Sequence, residues 1–204
     1  MNKNLFVAAV LTALALQSLM GRVSAFELPD TGQATCYDGS GTPISCIGTG
    51  QDGEYLRNRM SYTDNGDGTV TDNNTGLMWQ QTDDGNTYNW YEASGTDNTT
   101  YNPAFLDVCG SLDLAGYSDW RLPTKRELMS IEDFSVAINS GPMIDTTAFP
   151  NGRASAYWAS TISVNDPTQA FDVVFHDGQA ATKIMYKPVI YNWFPYVRCV
   201  RDGE

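Results

Sequence analysis

The sequence predicts an α+β domain, and three observations carry that expectation. Short alternating apolar runs bounded by Asn-Gly and Asp-Gly turn signals occupy both ends, as at Thr69-Val70-Thr71 and Phe171-Asp172-Val173-Val174-Phe175. Helical signals are confined to the middle of the chain. Cys109 and Cys199 are placed to tie that middle to the last strand. Helices between two groups of strands make an α+β domain, with the first and last strands expected as neighbours.

Residues 1–25 read as a secretory signal: Lys3 is the basic region, Leu5 to Leu19 the apolar stretch and Val23-Ser24-Ala25 a small-residue cleavage site. The alternative is an N-terminal membrane anchor, but the apolar run is shorter than the roughly 20 residues a span needs. No cysteine stands at the cleavage point to take a lipid. The expectation is a secreted protein, periplasmic or extracellular, with no membrane insertion after cleavage. Residues 26–59 are rich in Gly, Thr, Ser and Asp and read as an irregular extension. Residues 60–204 form the domain.

Within the domain, Met60 to Gln80 reads as a β-meander, with turns at Asn65-Gly66-Asp67-Gly68 and Asn73-Asn74-Thr75-Gly76. Asp83 to Thr100 reads as a polar loop. Two Asn-x-Thr triplets, at Asn73 and Asn98, are assigned no role. A first helix is expected from Asn102 as N-cap and Pro103 at the first helical position. Its inward face would hold Phe105, Val108, Cys109 and Leu112. In Trp120-Arg121-Leu122-Pro123-Thr124, the Pro-Thr step ends an extended segment. Thr124 and Glu127 then make a capping box for a second helix from Lys125 to Phe134, with Leu128 and Ile131 inward. After Gly141, Pro142 and Pro150, strands return at Tyr157 to Thr161 and Phe171 to Phe175. An Asp177-Gly178 hairpin leads to Ala180 to Met185, and Tyr196 to Val200 is the last strand.

The full chain carries a net charge of −12. Removing residues 1–25 takes away Lys3 and Arg22 and no acid, giving −14. That charge argues against nucleic acid and anionic lipid as partners. Four cysteines in an exported chain suggest two disulfides, for which three pairings exist; Cys36–Cys46 and Cys109–Cys199 are favoured. Zinc is the competing use, but one histidine and no Cys-x-x-Cys leave too few ligands, so no metal or cofactor is expected.

His176 as a general base needs a nucleophile and an orienting group, and beside the Asp177-Gly178 turn it reads as an exposed hairpin residue. Asp64, Asp67 and Asp72 around Asn65-Gly66-Asp67-Gly68 are oxygen-rich. No Glu stands at the twelfth position of such a loop, so a tight hairpin is favoured over calcium. Aromatics crowd two segments: Tyr88, Trp90 and Tyr91, and Tyr186, Tyr191, Trp193 and Tyr196. Such rings give rigid contact area for sugars or proteins when exposed, and a core or satellite cluster when buried.

Several stretches, taken together and in order, resemble the Lcl C-terminal domain family, named for the C-terminal domain of a bacterial collagen-like adhesin. They are Tyr62 to Asp72, Thr75 to Trp79, Leu114 to Thr124, Glu127-Leu128, Tyr157 to Thr161 and Val197 to Arg201, spanning about residues 60 to 201. That family is similar to C-type-lectin-like and formylglycine-generating-enzyme domains. The resemblance implies two helices, a small twisted antiparallel sheet and long loops offering a binding surface. Trp79, Trp120 and Trp158 lie inside the motifs and are read as core. The chain has no Gly-x-y repeats, so the adhesin's collagen stalk is absent. The cysteine pair that formylglycine-generating enzymes use in their C-terminal half is reduced here to Cys199, so that activity is not carried over. The expectation is a non-enzymatic recognition or adhesion module for a surface glycan or protein, with oligomeric state open. Asp172, Lys183, Tyr186, Tyr191, Asn192 and Trp193 are its candidate ligand-binding residues. A structural subunit of an extracellular assembly is the alternative, and an exported enzyme a third class.

Overall fold

The computed structural model describes residues 28–137, 140–176, 182–186 as backbone, and 195–203. The extension opens with a small hairpin of β1 (Cys36–Tyr37) and β2 (Pro43–Ile44), closed by the Cys36–Cys46 disulfide, followed by a 3-10 turn, Asp52–Glu54. It is not detached from the domain. Phe134 N–H donates to Thr31 O at 2.8 Å, and Asn74 Nδ2 donates to Arg59 O at 3.0 Å.

The meander forms as expected, with β3 (Tyr62–Asp64), β4 (Thr69–Asp72) and β5 (Leu77–Gln80) in antiparallel register. Its first turn needs Gly66 and Gly68 because both sit at positive φ, 74° and 89°. The last strand, β9 (Val200–Asp202), adds to β5 and not to β3, giving the order β3-β4-β5-β9. The expected pairing of first and last strands is therefore corrected: β3 is an edge. The last strand is also shorter than expected. Tyr196 only bridges to Thr87 and Tyr157, and Val200 also pairs with Arg121. A second sheet holds β6 (Ala156–Ile162), β7 (Gln169–Val174) and β8 (Thr182–Tyr186), all antiparallel. The proposed turn at Asp177-Gly178 lies outside the described residues.

The helices depart furthest from expectation. The described residues hold two short α-helices, α1 (Trp90–Ser94) and α2 (Lys125–Met129). α2 begins where predicted. The Thr124 hydroxyl accepts from Glu127 N–H at 3.3 Å, and Glu127 Oε2 accepts from Thr124 N–H at 2.7 Å. It stops at Met129, five residues short of Phe134, while Leu128 and Ile131 are buried as expected. No helix forms at 102–112. The Asn102 side chain reaches past the capping position to both backbone groups of Leu106. Its Oδ1 accepts from Leu106 N–H and its Nδ2 donates to Leu106 O, each at 2.8 Å. Those groups are then lost to a helical ladder. Phe105 is driven to φ 53°, a left-handed value that ends any right-handed helix. The first helix lies instead in the stretch read as a polar loop. Asn89 and Glu92 form a capping box around it, and Gly95, at φ 67°, terminates it.

Two clusters fill the interior. One joins Val70 and Trp79 of the meander to Leu128, Ile131, Phe149 and Phe175. The other joins Trp90, Trp120 and Trp158 around the Cys109–Cys199 disulfide. Trp79, Trp120 and Trp158 are thus core, as expected, and Trp90 joins them. The indole N–H of Trp90 donates to Ala159 O at 2.9 Å, and that of Trp158 donates to Tyr88 O at 2.8 Å. These two bonds pin α1 and the loop before it to β6.

Candidate functional site

The chain between α1 and Trp120 is held from below and leaves its upper side open. Asn102 is buried, and its Nδ2 also reaches Tyr91 O at 3.3 Å, so one amide joins the loop to α1. Above it, Phe105 is 66% exposed and Leu106 44% exposed. Tyr101, also 44% exposed, stacks on Tyr91, with ring centroids 5.8 Å apart and planes 12° from parallel. A bulky residue at positive φ costs of order 1–3 kcal/mol and persists only where its surroundings impose it. Ala115, the other non-glycine residue at positive φ among those described, sits in a two-residue hairpin turn with Gly116 that explains it. At Phe105 the strain yields an outward ring.

Beside Leu106 lies a shallow cavity of about 210 Å³, walled by Tyr88 and Val108 and edged by Asp84 and Asp107. Burial raises the Asp84 carboxyl, but bonds from the Tyr88 hydroxyl and from Asn86 outweigh it and hold the group below its ordinary range. The Tyr88 phenol is pushed up to about 12 by burial and by Asp84. Near neutral pH the cavity therefore shows a carboxylate and a protonated phenol. Aromatic and apolar surface next to fixed acceptors suits sugar hydroxyls or a protein side chain.

The residues chosen from sequence fall elsewhere. Asp172 is fully buried in β7, opposite Trp158 on one side and Lys183 on the other. Tyr186 ends β8 opposite Gln169. Register thus brings Asp172 and Lys183 together. Tyr191, Asn192 and Trp193 lie outside the described residues. His176 follows β7 and is half-buried. The Asn65-Gly66-Asp67-Gly68 turn spends its carboxylates on itself. Asp64 accepts from Gly66 N–H at 2.8 Å, and Asp67 accepts from the Thr69 hydroxyl at 2.6 Å. This is turn chemistry, and the hairpin forms between β3 and β4 as expected.

A further polar cluster is closed. Arg198 donates to the carbonyls of Gln80 and Gln81, at 2.8 and 2.6 Å, and to Asp83 and Asn151, at 3.2 Å each. Tyr157 O–H and Asn151 Nδ2 each donate to Asp83 at 2.9 Å. Arg198 and Asp83 are both buried, so the network ties the start of the 83–112 segment to β6 and the C-terminal segment. It acts as scaffold beneath the exposed loop.

Sequence reading missed this surface because Phe105 has the right spacing for an inward helical face. The available signal was Asn89-x-x-Glu92 followed by Gly95, which places a helix before residue 102 and turns the next segment into a loop. Neither the curated proteins nor the solved structures yield a match to this chain. A family model does match, over residues 68–201, and it is that of the Lcl C-terminal domain. The match takes in the meander's second turn, the Thr124 capping box and the β5–β9 closure, and covers more than half of the chain: the protein belongs to the Lcl C-terminal domain family.

Proposed function

We propose that the protein is an exported, non-enzymatic recognition or adhesion module that binds a surface glycan or protein through the face formed by Tyr91, Tyr101, Phe105 and Leu106. The observation that carries this reading is the exposed Phe105, held at positive φ by the buried Asn102. Preorganised exposed rings contribute contact area at low entropic cost on binding. Family membership supports it, because the family takes its name from an adhesin's terminal domain. Export is supported by both disulfides. A C-type-lectin-like fold is part of the same reading. It is favoured by the long loop between α1 and α2 and by the closure of β9 onto β5. The non-enzymatic part rests on Cys199, which is bonded to Cys109. The negative charge favours a neutral or cationic partner over a sulfated one. The segment from Lys183 to Trp193 stays as a second proposed contact region.

The test is a glycan and matrix-protein array probed with the mature chain and with Phe105→Ala. Retained signal on a defined partner with the first, and its loss with the second, supports the reading. No binding on any partner, or equal binding by both, removes it. A structural subunit of an extracellular assembly is the second reading, since exposed apolar rings also serve self-association. Solution mass separates the two: a monomer at micromolar concentration fits a module, and an open-ended polymer fits a subunit.

A further inference from the structure

The network around Asp83 attracts one more cation than it can bond. Asp83 Oδ1 accepts from Gly85 N–H at 3.0 Å and from Asn151 Nδ2 at 2.9 Å. Its Oδ2 accepts from Tyr157 O–H at 2.9 Å and from Arg198 Nη2 at 3.2 Å. Two bonds on each oxygen use up the acceptor capacity of a carboxylate. Arg153, just before β6, is drawn to the same group and finds no lone pair left. Its Nε stops 3.6 Å from Asp83 Oδ1 and, although buried, makes no hydrogen bond. The guanidinium lies over the Tyr196 ring, 4.8 Å from its centroid, and 39% of the side chain is exposed. Gly85 leaves room for it, since a Cβ there would come within 3.0 Å of Arg153 Nη2. The terminal nitrogens of Arg153 reach solvent and donate to no protein acceptor among the described residues. Two guanidiniums thus face one carboxylate, and neither pairs with a second acid among the described residues. On a chain of net charge −12, this is a local excess of positive charge.

We propose that Arg153 is a ligand site that takes a single carboxylate group on the two terminal nitrogens of its guanidinium. The planar fork of an arginine matches the two oxygens of a carboxylate. Stacking on Tyr196 and the pull of Asp83 hold that fork in place before a ligand arrives. The incoming carboxylate balances the charge and takes N–H groups that Asp83 cannot. The chain's overall negative charge acts from a distance and is screened beyond about 8 Å at physiological salt, whereas the contact is not. A polyanion is disfavoured, because Asp84, next to Gly85 in sequence, keeps its carboxylate ionised. The proposal goes beyond the Phe105 face and uses none of its residues, so either can fail alone. A sugar acid and the C-terminal end of a peptide both carry the required group.

The experiment titrates the exported protein with acetate, glucuronate and N-acetylglycine, with glucose as the uncharged control, and follows the NMR signals of the arginine side-chain N–H groups. The buried Arg153 Nε–H should give a resolved signal, identified by its loss in Arg153→Lys. Acetate should shift it saturably with a Kd on the order of 1–10 mM, and glucose should not. Tighter binding of glucuronate than of N-acetylglycine assigns the source to a sugar acid; the reverse order assigns it to a peptide end. Equal affinity supports a site for the carboxylate alone. Arg153→Lys should weaken binding about tenfold, because the charge stays and the fork is lost. Arg153→Gln should abolish binding while Tm stays within a few degrees. Should Arg153→Gln fail to fold, the parent and Arg153→Lys titrations decide. An unmoved Arg153 signal at concentrations well above that range overturns the proposal. So does undiminished binding in either variant, or sulfate that displaces acetate as well as the carboxylates do.

Discussion

At the scale of single residues, Phe105 and Asn102 set the account apart from a simple packing description. Phe105 pays for no burial with its backbone strain, so removing the side chain should relieve the fold. Phe105→Gly is expected to unfold at the same denaturant concentration as the parent or a higher one. Phe105→Val, β-branched and still at positive φ, should lose about 1–2 kcal/mol. Equal losses in both would mean that the ring packs against the domain. Asn102→Ala leaves backbone groups of Leu106 and Tyr91 without their amide partner and should cost about 1–3 kcal/mol in the same assay.

At the scale of elements, α2 gives the sharpest expectations. Thr124→Ala should cost about 1 kcal/mol by removing the N-cap. Glu127 accepts from Thr124 N–H and takes both Arg121 nitrogens, at 2.9 and 2.7 Å. Burial raises its carboxyl, but these bonds win and hold it below the ordinary carboxylate range. A group depressed in the folded state stabilises above its unfolded pKa and is lost as pH falls through the folded one. Glu127→Gln should therefore lower stability at neutral pH by roughly 1 kcal/mol, discounted because Arg121 is over a third exposed. That deficit should shrink as pH drops below the ordinary Glu pKa of about 4.3, which thermal melts across the acid range would show. A constant deficit would contradict the assignment. α2 was legible because the capping box and Leu128 are local. So was the meander, whose glycines mark its turns. The 102–112 segment was hard to read as a loop: Val108, Cys109 and Leu112 do face inward at helical spacing, and apart from the Asn89 capping box upstream, what sets the segment apart is the bonding of the Asn102 side chain to Leu106 and Tyr91. The β5–β9 pairing likewise depends on contacts that no local pattern encodes.

At the scale of the whole molecule, the two disulfides formed as favoured, and they do different work. Cys36–Cys46 closes a 10-residue separation at the periphery; Cys109–Cys199 closes 90 residues and sits among Trp90, Trp120 and Trp158. Chain-entropy estimates give roughly 3 and 4.5 kcal/mol, and the second bridge also packs the core. Cys109→Ser should lower the denaturant midpoint far more than Cys36→Ser, and equal losses would contradict this. Trp120→Ala, at a buried site, should cost roughly 3–5 kcal/mol. Beneath the loop, the closed Asp83–Arg198 network and the tryptophan cluster leave the outer rings free to meet a partner. The most direct measurement is the dissociation constant of the array-identified partner for Tyr101→Ala/Phe105→Ala, beside Tyr191→Ala/Trp193→Ala, with Tm recorded for each. The account predicts at least a tenfold loss for Tyr101→Ala/Phe105→Ala with Tm unchanged within a few degrees. Parental affinity in that variant, with loss only in Tyr191→Ala/Trp193→Ala, would contradict it and move the site to the C-terminal segment.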